Sequence, residues 1–268
     1  MNEAAVNIHP LHLLLGYLLL IFPVAFFLIF RIRLLKTLMV SLLRMTLQLL
    51  FVGLYLQVVF DLNAWWLNMI WLLVMVFAAD ISLITSAGFR WRKFLLPLFL
   101  SLLLGTAVPL LYFLGFILRL PDVLDARYLI PVAGMIMGNS LRADIIGLKT
   151  FYTSIRSDNK TYSTYLSQGA THREAFLPYL KDAYAASLSP TLATMATVGL
   201  VSLPGMMTGI ILGGTDPFIA IKYQIAIMIA IFSGTALTVM AAILLTVPSS
   251  FNRFGILLSN IFAGSNPK

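Results

Sequence analysis

The chain contains no cysteine and few charged residues, and each shortage excludes a class of protein. Without cysteine there are no disulfides, no thiolate metal sites and no thiol redox chemistry. Charged residues make up 10% of the 268 positions, far below the roughly 25% of a soluble domain, while hydrophobic residues make up 60%. With a mean hydropathy of +0.95, the sequence predicts an all-α polytopic membrane protein that has the lipid bilayer as its outer solvent.

Motifs for catalysis and for nucleotide binding are also missing from the sequence. No phosphate-binding loop of the form G-x-x-x-x-G-K-[ST] occurs, and the nearest fragment, at 147–150, lacks the Gly-Lys pair. No Ser/His/Asp or H-E-x-x-H arrangement suggests hydrolysis, and the three histidines lie far apart in the predicted topology. We therefore expect a chain that is not itself an enzyme and that binds no cofactor of its own.

Seven apolar runs are long enough to cross a bilayer as helices, since a spanning helix needs about 20 mostly apolar residues. We expect a single transmembrane permease domain over residues 1–268. Its loops are short except for one connection at 149–187, which is too polar to span the membrane. The predicted spans are 11–30, 38–60, 65–87, 94–118, 128–148, 188–214 and 221–247.

The Lys and Arg residues divide unevenly between the two ends of these spans. Thirteen of the 18 lie in the loops after spans one, three and five and in the tail, and three lie on the other side. Because positive charge collects on the cytoplasmic side, we expect an external N-terminus and a cytoplasmic C-terminus. No basic residue precedes Arg31, so no cleavable signal peptide is expected. The net charge of +8 reflects this topology and predicts no nucleic-acid partner.

The long connection after span five has the pattern of two helices and a tight turn. Gly169 suits the left-handed conformation that ends a helix, and Thr171 and Glu174 have the spacing of a capping box that starts another. Pro178 is expected to kink or restart the second helix. This cytoplasmic hairpin is either a solvated connector or a docking element, and its continuation into span six favours docking. Its first helix has apolar residues at helical spacing, namely Phe151, Ile155, Tyr162 and Leu166.

Helix breakers are concentrated in the sixth span, where a membrane favours a continuous helix. Pro204 cannot donate to the carbonyl of Leu200, and freed backbone at membrane depth is tolerated only against protein or a water-filled cavity. The segment is therefore either packed tightly between helices or part of a hinge and pathway wall. Close helix approach is expected at Gly205, Gly209 and Gly213 in this span and at Gly134 and Gly138 in span five.

A few polar side chains lie within the predicted spans, where they are functional hypotheses by default. A hard cation prefers oxygen ligands, which makes Asp80 and Asp144 the metal candidates, although Asp144 could instead form a structural ion pair with Arg142. Five methionines carry soft thioethers that suit copper(I), at 135, 137, 195, 206 and 207, but methionine is more often an adaptable core filler. The pathway or hinge candidates are Asp80, Asn139, Asp144, Pro204, Gly205, Met206, Met207 and Gly209.

Three stretches resemble the FetB family of ABC-transporter membrane subunits, whose bacterial members are linked to iron export and whose plant relatives are linked to aluminium tolerance. The resemblance covers roughly residues 129–246, and its longest block is the most specific. The turn at 169–171 also resembles the loop through which ABC permeases place a coupling helix in a cleft of the ATPase. The stretches are LIPVAGMIMGN (129–139), LSQGATHREA (166–175) and TVGLVSLPGMMTGIILGGTDPFIAIKYQ (197–224).

This resemblance implies a homodimer of the chain with two separate ATPase subunits, which bind ATP and magnesium, in a bacterial plasma (inner) membrane. It also implies export of iron or a related metal ion from the cytoplasm. The alternatives are an ABC permease for another substrate or direction, a stand-alone secondary transporter with Asp80 as its relay, and a membrane scaffold. The implied coupling residues are Tyr165, Leu166, Gly169, Ala170, Thr171 and Glu174.

Overall fold

Ten α-helices make up the protein, as a computed structural model that describes residues 9–262 shows. This part of the chain contains no β-strand, which confirms the all-α prediction. A 3₁₀ turn at Leu18–Leu20 joins the first two helices, and a π-helical turn at Phe113–Ile117 extends the fifth. The helices are α1 (Pro10–Tyr17), α2 (Ile21–Ile29), α3 (Leu35–Leu62), α4 (Trp65–Ala87), α5 (Trp91–Tyr112), α6 (Ala126–Ser157), α7 (Asn159–Ser167), α8 (His172–Thr197), α9 (Gly205–Leu212) and α10 (Pro217–Ser250).

Six helical segments in residues 9–262 are long and apolar enough to cross a membrane, and they match six of the seven predicted spans. The predicted sixth span at 188–214 is interrupted, as its helix breakers indicated: α8 ends at Thr197 and α9 has only eight residues. The connection at 198–204 is not helical. Gly199 there takes a φ of +90°, and Pro204, which has no N–H to donate, comes immediately before α9.

The broken segment nevertheless crosses the bundle, because α6 and α10 run in the same direction. Near one end the hydroxyl of Tyr152 in α6 donates to Thr246 in α10 at 2.8 Å. Earlier along both helices, Ile136 of α6 lies against Gly234 of α10. The chain thus leaves α6 at one end of the bundle and enters α10 at the other. Residues 158–216 make this return crossing through α7, α8, the break and α9.

Helices α5 and α10 cross closely at Gly105 and Gly234. A Cβ atom added to Gly234 would lie 2.6 Å from Ile136 Cγ2 and 2.8 Å from the carbonyl oxygen of Gly105. Real Cβ atoms do not approach backbone this closely, since protein interiors are already packed to crystal-like density. The absence of side chains at these two positions therefore allows the backbones of α5 and α10 to meet in the core.

The glycines predicted to pack helices together do not do so within one chain. A Cβ atom on Gly138, Gly205 or Gly209 would meet nothing within 4 Å, and one on Gly134 would meet only the end of Met75, at 3.4 Å. Near Gly213 the atoms within 4 Å are carbonyl oxygens of its own helix. The G-x-x-x-G spacing permits another helix to approach closely, but within this chain no other helix packs against the glycines of α9.

Helices α1, α2 and α3 form the outer part of the molecule, and most of their apolar side chains are exposed. Val59 is the one buried residue of α3, and α2 has none. Leu54, for example, is 69% exposed. Apolar surface of this extent marks a membrane-facing region. The chain is therefore a multi-pass membrane protein, with its packed core in α4, α5, α6, α8 and α10.

Candidate functional site

A cavity of about 500 Å³, with several polar side chains in a largely apolar wall, lies where the broken crossing meets the bundle. Its walls come from α6, α8, α9, α10 and the connection at 198–204. Irregular backbone in a membrane protein is tolerated where it lines such a cavity, because water there can satisfy the backbone groups that the break leaves without a partner. The polar side chains of its wall are Asn139, Arg142, Ser187, Thr191, Thr194, Ser202 and Gln224.

The structure brings half of the predicted pathway or hinge residues to this cavity. Asn139, Pro204, Gly205 and Met206 all line it. The amide nitrogen of Asn139 donates to the carbonyl of Met135, one turn earlier in α6, at 2.8 Å. Four candidates fall elsewhere: Asp80, Asp144, Met207 and Gly209 are not part of the cavity wall.

Asp80 and Asp144, the candidate metal ligands, are both fully buried inside the bundle. Neither carboxylate accepts a hydrogen bond from the described chain. The hydroxyl of Thr238 lies close to Asp144, but it donates to the carbonyl of Thr235 at 3.0 Å. Among residues 9–262, no group of three His, Asp or Glu side chains comes together that could hold a metal ion. The role of these two aspartates stays a prediction.

Arg142 and Asp144 do not form the ion pair that was considered for them. Residues two positions apart on a helix do not face each other. Arg142 lines the cavity, whereas Asp144 is enclosed in the core with no partner for either oxygen. The guanidinium and the carboxylate therefore belong to different environments on opposite sides of α6.

Helix α8 joins the cavity to the opposite end of the bundle without interruption. It begins at His172, continues through Pro178 and ends at Thr197, so Pro178 does not restart the helix. Its last turns supply Pro190 and Thr191 to the cavity wall. At 1.5 Å per residue, its 26 residues are roughly 39 Å long. One helix thus reaches from the tip of the predicted hairpin to the cavity.

The start of α8 has the capping box that its sequence predicts. The backbone N–H of Glu174 donates to Thr171 Oγ1 at 3.3 Å, and the backbone N–H of Thr171 donates to Glu174 Oε2 at 2.8 Å. The hydroxyl of Thr171 also donates to Glu174 Oε2, at 2.7 Å. The hydrogen bond from the Thr171 backbone and then the one from its hydroxyl lower the pKa of the Glu174 carboxyl. Gly169 just before has a φ of +91°, the left-handed conformation that was expected of it.

The residues predicted to couple to a partner surround this turn, at the tip formed by α7 and the start of α8. Four of them are exposed and two are half-buried. An exposed tip is accessible to another protein, but the coupling role itself stays a prediction. The exposed residues are Tyr165, Gly169, Thr171 and Glu174, and the half-buried ones are Leu166 and Ala170.

Hydrogen bonds behind the tip hold α7 and α8 together. The hydroxyl of Tyr179 in α8 donates to Asp158 Oδ2 at 2.8 Å. Burial, followed by the nearby Asp158, raises the pKa of Tyr179 to about 12. Hydrogen bonds from Thr161 and then Tyr179 lower the pKa of Asp158. The hydroxyl of Tyr162 in α7 donates to the carbonyl of Gly255 at 2.7 Å, so the hairpin is also fixed to the C-terminal segment.

The C-terminal segment at 251–262 connects the loops at this end of the bundle. The backbone of Arg90 and the side chain of Lys93 each donate a hydrogen bond to it, at 2.9 and 2.8 Å. The guanidinium of Arg156 lies over the ring of Phe262, at 5.1 Å from its centre. Sequence reasoning treated this segment only as a tail, because its apolar residues show no helical or strand period.

Sequence reasoning also missed Gln224 as a cavity residue. Its side chain is 7% exposed and lines the cavity from α10. A signal was present, because Gln224 interrupts the apolar run of the last span and polar residues within spans are functional hypotheses by default. Thr191 gave no comparable signal, since α8 is mixed in composition throughout.

Comparison with known proteins finds relatives over most of the chain. Residues 10–251 match the family described as Uncharacterised protein family UPF0014. A UPF0014 membrane protein of Synechocystis sp. is 36% identical, covering 80% of this chain and 83% of the relative. Protein ALUMINUM SENSITIVE 3 of Arabidopsis thaliana is 34% identical, covering 82% and 79%. Probable iron export permease protein FetB of Escherichia coli is 32% identical, covering 78% and 79%. No solved structure matches.

Proposed function

We propose a transport function from an established premise: the chain belongs to the UPF0014 family of membrane proteins. In this proposal it is the membrane-spanning subunit of an ABC transporter. One observation carries the proposal. Helix α8 is a single rod that begins at an exposed tip, at the Thr171 cap, and ends in the wall of the cavity inside the bundle.

The rod gives a partner a mechanical route to the cavity. A protein that grips the tip and moves it shifts α8 as a whole, because the capping box and the hydrogen bonds of Tyr162 and Tyr179 stiffen its base. The break at 198–204 lets α8 move without carrying α9 along. We therefore assign the coupling role to the tip and the hinge role to the connection before Pro204.

The remaining parts of the transporter follow from this assignment. The chain has no phosphate-binding loop, so ATP and magnesium bind to separate ATPase subunits, two for a homodimer of this chain. The tip and the basic loops face the cytoplasm, in a bacterial plasma membrane, with the N-terminus outside. A relative bears the name of a probable iron export permease, which supports iron or a related metal as the cargo and export as the direction.

A stand-alone secondary transporter is less well supported. Such a transporter needs an ionisable relay that communicates with the substrate site. Asp80, the residue considered for that task, is fully buried and does not line the cavity. The exposed, rigid tip would also have no role in it. The uninterrupted α8 favours a transporter that is driven by a partner at the tip.

The test is ATP hydrolysis and metal efflux in proteoliposomes that contain the full chain and an ABC ATPase from the same organism. Gly169→Pro should abolish stimulation of hydrolysis, because proline fixes φ near −65° and Gly169 has a φ of +91°. Gln168→Ala, at a neighbouring exposed position with ordinary backbone geometry, is the matched control. Unchanged stimulation in Gly169→Pro refutes the coupling role, and efflux driven by an ion gradient without ATPase refutes the ABC assignment.

A further inference from the structure

We propose that the cavity beside the break binds an anionic oxygen group, a carboxylate or a phosphate, through Arg142. If the chain is the transporter subunit proposed above, on which this statement about cargo rests, the cargo is a metal held by a chelator that carries an oxyanion, and not a bare cation. The binding site itself is a property of this chain alone and can be measured without a partner.

Arg142 occupies a position that needs a functional reason. It lies within the predicted fifth span, at 128–148, six residues before the cytoplasmic end of that span. A guanidinium inside a span is rare unless it faces a water-filled cavity. Arg142 does so, since its exposed side chain lines the cavity. Its five N–H donors have the planar geometry that matches a carboxylate or phosphate in two parallel hydrogen bonds.

No acidic side chain neutralises Arg142 inside the cavity. Arg142 is the one charged residue in the cavity wall that the structure describes. Asp144, the nearest carboxylate in sequence, is enclosed on the other side of α6. The rest of the wall is largely apolar, which weakens screening and strengthens any charge interaction there. A bare metal cation would meet repulsion in this space, whereas an anion would find its counter-charge.

Gln224 is the second, independent sign of a ligand. Its side chain is more than nine-tenths buried and lines the same cavity from α10. Within residues 9–262 its amide makes no hydrogen bond to another side chain or to the backbone. The amide therefore has its hydrogen-bonding capacity free for a ligand in the cavity, and its NH₂ group can donate to the same oxyanion. Asn139, also in the wall, keeps its oxygen available because its nitrogen donates to Met135.

The size of the cavity agrees with a small molecule and not with a single ion. Its volume of about 500 Å³ falls within the roughly 300–1,000 Å³ of small-molecule sites. The thioether side chains of Met135, Met206 and Met228 form part of its wall. Methionine adapts its shape to irregular ligands. The site thus combines one cationic anchor, two amides and an adaptable apolar surface.

Calorimetry on the full chain in lipid nanodiscs tests the proposal with four probes: citrate, inorganic phosphate, ferric citrate and Fe²⁺. We expect saturable binding of citrate, phosphate or ferric citrate and none of Fe²⁺ alone. Binding of ferric citrate in preference to both free anions identifies a chelate as the ligand, and tighter binding of a free anion identifies an organic anion or phosphate compound. Binding of Fe²⁺ alone, or no anion binding, overturns the proposal.

Substitutions test whether Arg142 is the residue that binds the anion. Arg142→Gln should weaken binding of the anion at least tenfold, and Arg142→Lys should recover part of it, because lysine keeps the charge but loses the paired donors. Gln224→Glu should abolish binding with Arg142 still present, since it adds to the cavity wall a negative charge that repels the anion. Arg92→Gln removes an exposed charge outside the cavity and should bind like the wild type. Unchanged affinity in Arg142→Gln refutes the site.

The proposal and the transport function can fail separately. Nanodisc binding needs no ATPase, so a normal anion site in a chain that no ATPase stimulates refutes the ABC assignment and leaves the site in place. The opposite result is also possible: the ATPase is stimulated in a way that depends on Gly169, but anion binding does not change when Arg142 is replaced. That result refutes the anion site and leaves the transporter assignment in place. Monodisperse elution of every variant is required before its binding is measured.

Discussion

The capping box at Thr171 offers the sharpest prediction about how the tip works. Thr171→Ala removes the oxygen that accepts from the backbone of Glu174, at 3.3 Å. Loss of a threonine N-cap costs about 1 kcal/mol. Since that energy corresponds to roughly a fivefold change in an equilibrium, the first turn of α8 should open about five times more often. The turn is exposed at positions 171, 173 and 174, and its tertiary packing comes from His172, whose ring centre lies 4.6 Å from that of Phe251, a contact that Thr171→Ala leaves in place.

Hydrogen exchange measured on peptides covering 170–180 reports this opening directly. The amide of Ala175, which donates to the carbonyl of Thr171 at 3.0 Å, should exchange about five times faster in Thr171→Ala. In proteoliposomes the same variant should couple ATP hydrolysis to efflux less tightly, because a frayed helix transmits less of the tip's motion. Efflux per ATP hydrolysed is the quantity to compare with the wild type.

Glu174→Gln separates helix capping from charge recognition. Glutamine is also accepted at this position of a capping box, so exchange at Ala175 should stay near the wild-type rate while the negative charge is lost. If the tip works as a rigid lever, coupling survives in Glu174→Gln and falls in Thr171→Ala. Loss of coupling in Glu174→Gln with unchanged exchange would show instead that the partner recognises the charge, and unchanged exchange in Thr171→Ala would refute the stabilising role of the box.

Other predictions concern packing and the buried groups. Gly234→Ala should destabilise the chain by about 1–3 kcal/mol, because its Cβ would meet backbone 2.8 Å away, whereas Gly138→Ala should be neutral or stabilising; thermal unfolding compares them, and equal midpoints would refute the tight crossing. Tyr179→Phe should cost about 1 kcal/mol. Because the pKa of Asp158 is lowered in the folded state, its carboxylate stabilises the fold at neutral pH, and this contribution should be lost below about pH 4. Acid unfolding of the wild type and of Tyr179→Phe would show it as a smaller stability difference between them at low pH. Asp80→Asn should leave anion binding within about twofold, since Asp80 does not line the cavity; a larger change would connect Asp80 to the cavity.

Much of the fold was predictable because the bilayer makes strict demands on the sequence. Six spans appear as apolar runs of sufficient length, since a chain in lipid has few ways to satisfy its backbone other than a helix. The remaining span, at 188–214, contains Pro204 and three glycines within positions 204–213, and these breakers predicted a kink or hinge. Composition does not distinguish a helix from two helices and a break, and only the position of Pro204 indicated where the interruption falls.

Local chemistry predicted the hairpin turn well, and spacing alone predicted packing poorly. Gly169 and the Thr171–Glu174 box act through bonds within a few residues, so the sequence contains the whole interaction. Helix contacts depend on which neighbour lies opposite. Gly105 and Gly234 meet in the core although neither stands in a G-x-x-x-G pattern, while Gly205 and Gly209 have that pattern and face open space. Both packing glycines do begin the tripeptide Gly-Thr-Ala, a shared signal that single-span reasoning does not use.

The candidate site was half predictable for a related reason. Asn139 and Pro204 attract attention because they are unfavourable in a plain lipid-facing helix, and both line the cavity. Arg142 was equally unfavourable, but the presence of Asp144 two positions later offered a pairing that would have explained both. The helix itself excludes that pairing, because it turns about 200° between those positions. The same rotation that buries Asp144 leaves Arg142 unneutralised in the cavity.

The break in the sixth crossing therefore has two consequences that one continuous helix could not have. It ends α8 beside Asn139 and Arg142, which leaves room for a ligand next to a cation that nothing in the cavity wall balances. It also separates α8, which packs along α6, from α9, which packs on α10. Movement of α8 from its exposed tip would then change the distance between two walls of the cavity: the one that α8 contributes, with Thr191 and Thr194, and the one that carries Arg142 on α6 and Gln224 on α10. A ligand that bridges both walls would be held in one position of α8 and released in another.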